Sequence, residues 1–181
     1  MGGADKALLT LAGRPLLSHV LERLEPQVDR VLISANGDPA RLAGFGCPVV
    51  GDAVPMGPLA GVLACLRRAA DMGATHLVTV PVDTPFLPGD LVPQLLLAAL
   101  AAPEGLALAR DDLRDHPATA IWPVGLITAL ESHLGEGGAK VTGFTRAHQA
   151  ATARFPDPAA FDNLNTPGDL ARAEALLKGR G

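Results

Sequence analysis

Short apolar runs rich in β-branched residues alternate with longer stretches of helical period along this chain, and that alternation leaves few folds open. Strand-like runs lie at Arg30 to Ala35, Cys47 to Val50, Thr75 to Val80, Leu106 to Ala109, Ala118 to Trp122 and Thr152 to Phe155. Around them, helical patterns run from Leu16 to Leu24, Pro58 to Met72, Asp90 to Ala102, Val124 to Leu134 and Pro167 to Lys178. The second is the clearest. Leu59, Val62, Leu63, Leu66 and Ala70 make one apolar stripe, Pro58 suits a first helical turn and Gly73 suits a C-cap. Strands alternating with helices predict βαβ units: an α/β fold of three layers, α/β/α, whose mostly parallel sheet is covered on both faces. No internal repeat, low-complexity tract or linker divides the 181 residues, so they read as a single domain.

The run Leu77-Val78-Thr79-Val80 passes directly into Pro81-Val82-Asp83-Thr84-Pro85-Phe86-Leu87-Pro88. The run reads as a buried strand, and Asp83 falls where strand meets loop, the place at which open α/β sheets bind ligands. Pro81 and Pro85 fix φ and remove backbone donors on either side of the acid, which predicts a rigid platform. A lone carboxylate there suits Mg²⁺, which takes one or two protein carboxylates and completes its shell with water and substrate phosphates. The competing role for Asp83 is a cap on the helix that begins near Pro88, for which Asp90 is better placed.

Composition removes several function classes. The formal net charge is −4, with no basic run and 3% aromatic residues, a balance that argues against nucleic-acid binding. No apolar run approaches the ~18 residues needed to cross a bilayer, because Pro93, Gln94, Pro103 and Glu104 interrupt the most apolar stretch. Cys47 and Cys65 lack CxxC spacing and no basic region followed by an apolar one opens the sequence, both of which point to a reduced, cytoplasmic setting. His19, His76, His116, His133 and His148 show no metal-ligand spacing, so a zinc site is not expected. No Ser-His-Asp or Cys-His arrangement offers a nucleophile.

The opening, Met1-Gly2-Gly3-Ala4-Asp5-Lys6-Ala7-Leu8-Leu9, reads as the latter half of a phosphate-binding loop. Glycines let backbone amides approach phosphate oxygens, and a lysine supplies a compact point charge.

These pieces form an ordered set. Gly2-Gly3-Ala4-Asp5-Lys6-Ala7-Leu8-Leu9 is followed by Gly13-Arg14-Pro15-Leu16-Leu17, Ile33-Ser34-Ala35-Asn36, Pro48-Val49-Val50-Gly51-Asp52, Gly57-Pro58-Leu59-Ala60-Gly61 and Pro81-Val82-Asp83-Thr84-Pro85. Arg114-Asp115-His116-Pro117 and Asn163-Leu164-Asn165-Thr166-Pro167 complete it. In this order they resemble the molybdenum cofactor guanylyltransferases over essentially the whole chain. The resemblance implies a Rossmann-like nucleotidyltransferase fold and transfer of GMP from GTP to molybdenum-molybdopterin. The products would be the guanine dinucleotide cofactor and pyrophosphate, made in the cytoplasm with Mg²⁺. Other synthesis proteins and client apoenzymes are the implied protein partners, with no nucleic acid and no membrane.

Residue by residue, the resemblance makes Lys6 the lysine on the GTP phosphates, Asp52 the acid beside the nucleotide, and Asp83 the residue that binds GTP and metal. Gly57 to Gly61 form the close approach to the nucleoside, with Ser34 and Asn36 at the nucleotide-contacting strand end. Arg114, His116, Lys140, Asn163 and Asn165 form a group on the pterin side, and Lys6 with Arg14 neutralises phosphate charge. Ser34 stands where the family often has asparagine. The family's first strand and its Leu-Ala-Gly-Gly loop are expected upstream of Met1, so the chain as given is expected to bind GTP weakly or not at all. Two other readings stay open: a nucleotidyltransferase for CTP or for sugar or alditol phosphates, and a noncatalytic domain that hands on cofactor.

Overall fold

The computed structural model describes residues 5–52 and 57–179, so Gly2 and Gly3 of the phosphate-loop reading lie outside the described residues. A hairpin of β1 (Thr10–Leu11) and β2 (Arg14–Pro15) turns through Ala12 and Gly13, both at positive φ, as the tightest hairpins require. It leads into α1 (Leu16–Leu24), β3 (Ile33–Ser34), β4 (Val49–Val50) and α2 (Pro58–Asp71). Next come β5 (His76–Thr79), α3 (Leu91–Ala99), β6 (Ala107–Arg110) and β7 (Asp115–Pro123). The chain finishes with α4 (Ile127–Gly135), α5 (Val141–Ala147), β8 (Ala151–Arg154) and α6 (Pro167–Gly179).

Helix α2 starts where its pattern predicts and ends one residue short of Met72, because both ends are written locally. Pro58 needs no intrahelical donor in the first turn. Gly73, at φ +80°, lets its own amide and that of Ala74 close on the Ala70 and Ala69 carbonyls. Asp90 precedes α3 as expected but does not cap it. Its carboxylate accepts instead from the Gln94 side chain at 3.2 Å.

The α/β class and the layering hold, while the sheet is mixed rather than mostly parallel. Its four-stranded part runs β5-β7-β6-β8, with β7 antiparallel to β5 and β6 and with β8 parallel to β6. The short turn between β6 and β7 forces this, since a few residues can reverse a chain but cannot carry it back to start a parallel strand. A separate parallel pair joins β3 to β4. Val20 of α1 and Leu91, Leu95 and Ala99 of α3 pack with Ala107, Ala109 and Ile121 on one face of the sheet. Helices α2, α4 and α5 cover the other, where Leu59, Leu66, Leu130 and Phe144 surround Trp122. Helix α5 matches no expected element; Phe144, fully buried, anchors it.

Candidate active site

Asp83 leaves the end of β5 as its sequence position predicts, and it is only 7% exposed. A turn fixes it: Thr84 donates its hydroxyl to the Pro81 carbonyl at 2.8 Å, and the Leu164 amide donates to the Asp83 carbonyl at 2.9 Å. Both carboxylate oxygens are engaged. The Lys6 ammonium donates to Oδ2 at 2.8 Å and the Asn163 side-chain amide to Oδ1 at 2.9 Å. Lys6 also donates to Asn165 Oδ1 at 2.5 Å. Asn163 and Asn165, assigned by resemblance to the pterin side, are therefore built onto the Lys6–Asp83 pair itself.

The Asn-Leu-Asn-Thr-Pro segment owes this placement to the start of α6. Asp169 accepts from the Asn165 and Thr166 amides at 3.0 and 2.8 Å, while its own amide donates to the Thr166 hydroxyl at 3.2 Å. That reciprocal cap pins the segment with Leu164 buried at 3% exposure, and the flanking asparagine side chains reach Lys6 and Asp83.

A second cluster lies at the end of β3. Asn36 accepts from the Asp52 amide at 2.8 Å and donates to the Asp52 carboxylate at 3.3 Å. Gly61, in the first turns of α2, faces both neighbours: a Cβ there would lie 3.0 Å from Ser34 Oγ and 3.2 Å from Asp52 Oδ1. Below them, burial pushes the Cys65 thiol up, and the nearby Asp52 carboxylate adds to that against the Ser34 hydrogen bond. Gly57 has φ +86°, a conformation that favours glycine, and its Cβ position meets Ala139 at 3.4 Å. Exposed Lys140 thus stands beside the start of α2.

Adjacent residues tie the two clusters together. Asp5 accepts from Arg41 Nε at 2.6 Å, and Arg41 in turn donates to the Asn36 carbonyl at 2.8 Å, while Lys6 reaches Asp83. The Arg41 hydrogen bond leads in holding the Asp5 carboxyl below its usual range. Sequence reasoning missed Asp5 and Arg41. The only signal for Asp5 was its place beside Lys6, and Arg41 sits in a 3₁₀ turn without a motif. Arg14 does not join the site; it pairs with Glu22 at 2.9 Å on the surface of α1.

A third group forms at the β6–β7 turn. His116 Nε2 lies 2.8 Å from the Asp111 carboxylate, which also accepts from the Leu113 and Arg114 amides at 2.7 Å. The His116 ring stacks on Phe161 at 4.5 Å, two residues before Asn163, and Arg114 is exposed on the same turn. Burial alone would raise the Asp111 carboxyl, but the bonds from His116, Arg114 and Leu113 together bring it below its ordinary value. A carboxyl depressed by folding stabilises above its unfolded pKa of about 3.9 and loses that contribution as pH falls through the lower folded value. Acid unfolding followed by circular dichroism will accordingly be steeper below about pH 4 in the parent than in Asp111→Asn. Equal slopes in that range would mean that Asp111 is not a linked group.

Lys6, Asp83, Asn163 and Asn165 thus form one constellation, and Ser34, Asn36, Asp52 and Gly61 a second. Lys140 and the Arg114–His116 turn flank them. Among the described residues no three His, Cys, Asp or Glu side chains come together as a metal cage.

Comparison with known proteins gives the same reading. The MobA-like NTP transferase domain family matches residues 1–151. A molybdenum cofactor guanylyltransferase of Cereibacter sphaeroides is 58% identical over 178 residues, which are 98% of this chain and 91% of that protein. One of Bradyrhizobium sp. (strain ORS 278) is 46% identical, over 97% of this chain and 86% of that protein. Among solved structures, the molybdopterin-guanine dinucleotide biosynthesis protein A of Archaeoglobus fulgidus superposes with a TM-score of 0.73 at 22% identity, covering 98% of this chain and 92% of its own. The 2-C-methyl-D-erythritol 4-phosphate cytidylyltransferase of Thermus thermophilus gives 0.69, also at 22%, over 96% and 94%; at that identity both speak for the fold. With a family match over most of its length and a 58% identical relative covering nearly all of it, the chain belongs to the molybdenum cofactor guanylyltransferases, nucleotidyltransferases of the MobA-like family.

Proposed function

We propose that this chain transfers GMP from GTP to molybdenum-bound molybdopterin, releasing pyrophosphate and forming the guanine dinucleotide cofactor in the cytoplasm. The observation that carries the reading is the Lys6 ammonium held 2.8 Å from Asp83 at the end of β5, in a chain so close to named guanylyltransferases. Phosphoryl-type transfer asks for in-line positioning and charge neutralisation rather than a protein nucleophile. Lys6 binds phosphate oxygens, and Ser34, Asn36 and Asp52 hold the nucleoside over the close approach at Gly57 and Gly61. Asn163 orients the Asp83 carboxylate, and Arg114, His116 and Lys140 bind the anionic pterin substrate. The dinucleotide product then passes to other synthesis proteins or to client apoenzymes.

The residues fit Mg²⁺. A cation, the Lys6 ammonium, already rests on Asp83 Oδ2. A single carboxylate without a protein cage matches an ion that draws the rest of its shell from water and substrate phosphates. When bound at Asp83, Mg²⁺ neutralises charge on the transferring phosphate.

The test incubates the protein with Mg²⁺, molybdenum-loaded molybdopterin and each nucleoside triphosphate in turn, measuring pyrophosphate and dinucleotide. Product from GTP alone supports the reading, product from CTP moves the chain to a cytidylyltransferase, and product from neither leaves the cofactor-handling role. Lys6→Ala will weaken GTP binding by about 10-fold or more in calorimetric titration, the loss of one charge-assisted contact to phosphate. Its melting temperature will fall by only a few degrees, since the lysine side chain is 46% exposed, while the Asp83 side chain, 10% exposed, keeps its hydrogen bond from Asn163. A large drop in stability with normal GTP affinity would make Lys6 structural.

A further inference from the structure

The two constellations of the site bring together Asp5, Asp52 and Asp83, carboxylates around a place read as taking a triphosphate. Two of these carry a cation: Lys6 on Asp83 at 2.8 Å and Arg41 on Asp5 at 2.6 Å. Lys6 is read as binding phosphate oxygens. Arg41 has no part in that reading, yet it is the more firmly held of the two.

Local structure fixes Arg41. Its 3₁₀ turn, Pro39–Phe45, is capped by Asp38, which accepts from the Ala40 amide at 2.9 Å, and is anchored by fully buried Leu42. Leu42 packs in one cluster with Ala7, the residue after Lys6, so the turns that carry Arg41 and Lys6 share a core. The guanidinium then donates to three acceptors: Nε to Asp5, Nη1 to the Asp38 carbonyl at 2.5 Å and Nη2 to the Asn36 carbonyl at 2.8 Å. Such a planar fork holds its place as an ammonium could not. Asp5 is fixed as well, because its Oδ1 accepts from the Ala7 amide at 3.0 Å. The Arg41 and Asp5 side chains are 30% and 29% exposed, so water and salt screen the pair only in part.

An acid beside a phosphate-binding lysine is a liability. Consecutive Cα atoms are ~3.8 Å apart, so a phosphate on Lys6 lies on the order of 10 Å from the Asp5 carboxylate, about one Debye length. At that range an unpaired carboxylate repels the phosphates and cancels part of what Lys6 supplies. We propose that Arg41 is a positioning residue for the triphosphate: given Lys6 as the phosphate lysine of the proposed function, it acts by neutralising Asp5 and holding that carboxylate turned towards β3, without touching the nucleotide. Its effect then scales with the charge of the ligand, because repulsion does.

Calorimetric titration with GMP, GDP and GTP tests this in Arg41→Ala, Asp5→Asn and the double variant. Arg41→Ala will weaken GTP about 10-fold, GDP less, and GMP by under about 3-fold. Asp5→Asn alone will stay within about 3-fold of the parent, since an asparagine oxygen still accepts from the Ala7 amide. Adding Asp5→Asn to Arg41→Ala will bring GTP back to within about 3-fold of the parent, a rescue that a purely structural Arg41 would not show. The inference is overturned if GMP and GTP lose equally, or if the parent binds GTP no better than GMP. It is overturned too if the double variant shows no recovery, as when Arg41 itself binds phosphate. Carbon-13 NMR gives a readout without nucleotide. The Asp5 carboxyl, held below its usual range first by the Arg41 hydrogen bond, will titrate higher in Arg41→Ala, and an unmoved titration sinks the pairing. Neither readout uses the dinucleotide product, which alone decides the guanylyltransferase reading.

Discussion

Asp83→Asn will lower turnover on the order of 100-fold or more while the protein still folds, because the change removes the charge that holds a cation and keeps the shape. The asparagine side chain retains an oxygen for the Asn163 amide, which now donates to Oδ1 at 2.9 Å, so the turn from Pro81 to Thr84 stays in place. Little stability is at stake, since the Lys6 side chain opposite is 46% exposed and rehydrates when its partner goes neutral. Kinetic assays, melting curves and Mn²⁺ titration by calorimetry together check the claim. Lost turnover with a melting point within a few degrees of the parent and no measurable Mn²⁺ binding is the expected set. Normal turnover would remove Asp83 from the mechanism.

Trp122→Ala will unfold the protein or bring it to the edge of unfolding. Trp122 is completely buried in β7, opposite Leu77 of β5, with its ring 6.0 Å from Phe144 of α5. Its indole N–H donates to the Thr79 hydroxyl at 3.0 Å, so one side chain joins the strand before Asp83, the centre of the sheet and a helix of the outer layer. Truncating a buried aromatic costs about 3 to 5 kcal/mol, a large part of the ~5 to 15 kcal/mol that holds a domain together. Trp122→Phe keeps most of the apolar volume and loses the hydrogen bond, so its cost falls to about 1 to 2 kcal/mol. Urea unfolding of the two variants separates these values; equal small losses would mean that the core around α5 repacks.

Where local chemistry sets an element, it could be read directly. Helix α1 spans the expected Leu16–Leu24, and α2 differs from its reading by one residue, because apolar period, proline and glycine caps act over a few neighbouring positions. Asp83 at a strand end and Lys6 after two glycines carried enough local signal to be singled out. Helix α5 carried none, since β-branched residues and Gly143 make Val141–Ala147 a poor helix in isolation, and burial of Phe144 against Trp122 overrides that preference. The sheet order was equally out of reach. Nothing in the run from Ala118 to Trp122 says that it lies between β5 and β6.

The sequence by itself determined most of the strands and helices, α5 and the β1–β2 hairpin apart, and which residue types stand ready for phosphate and metal. Only the tertiary structure decided that Lys6 and Asn163, 77 and 80 positions away from Asp83 along the chain, share its carboxylate, and that Asp5 and Arg41 link this pair to Asn36. The reason is physical. Periodicity, capping and turn chemistry are settled between near neighbours, whereas strand order and contacts across the site are settled by which surfaces can be buried together once the layers assemble.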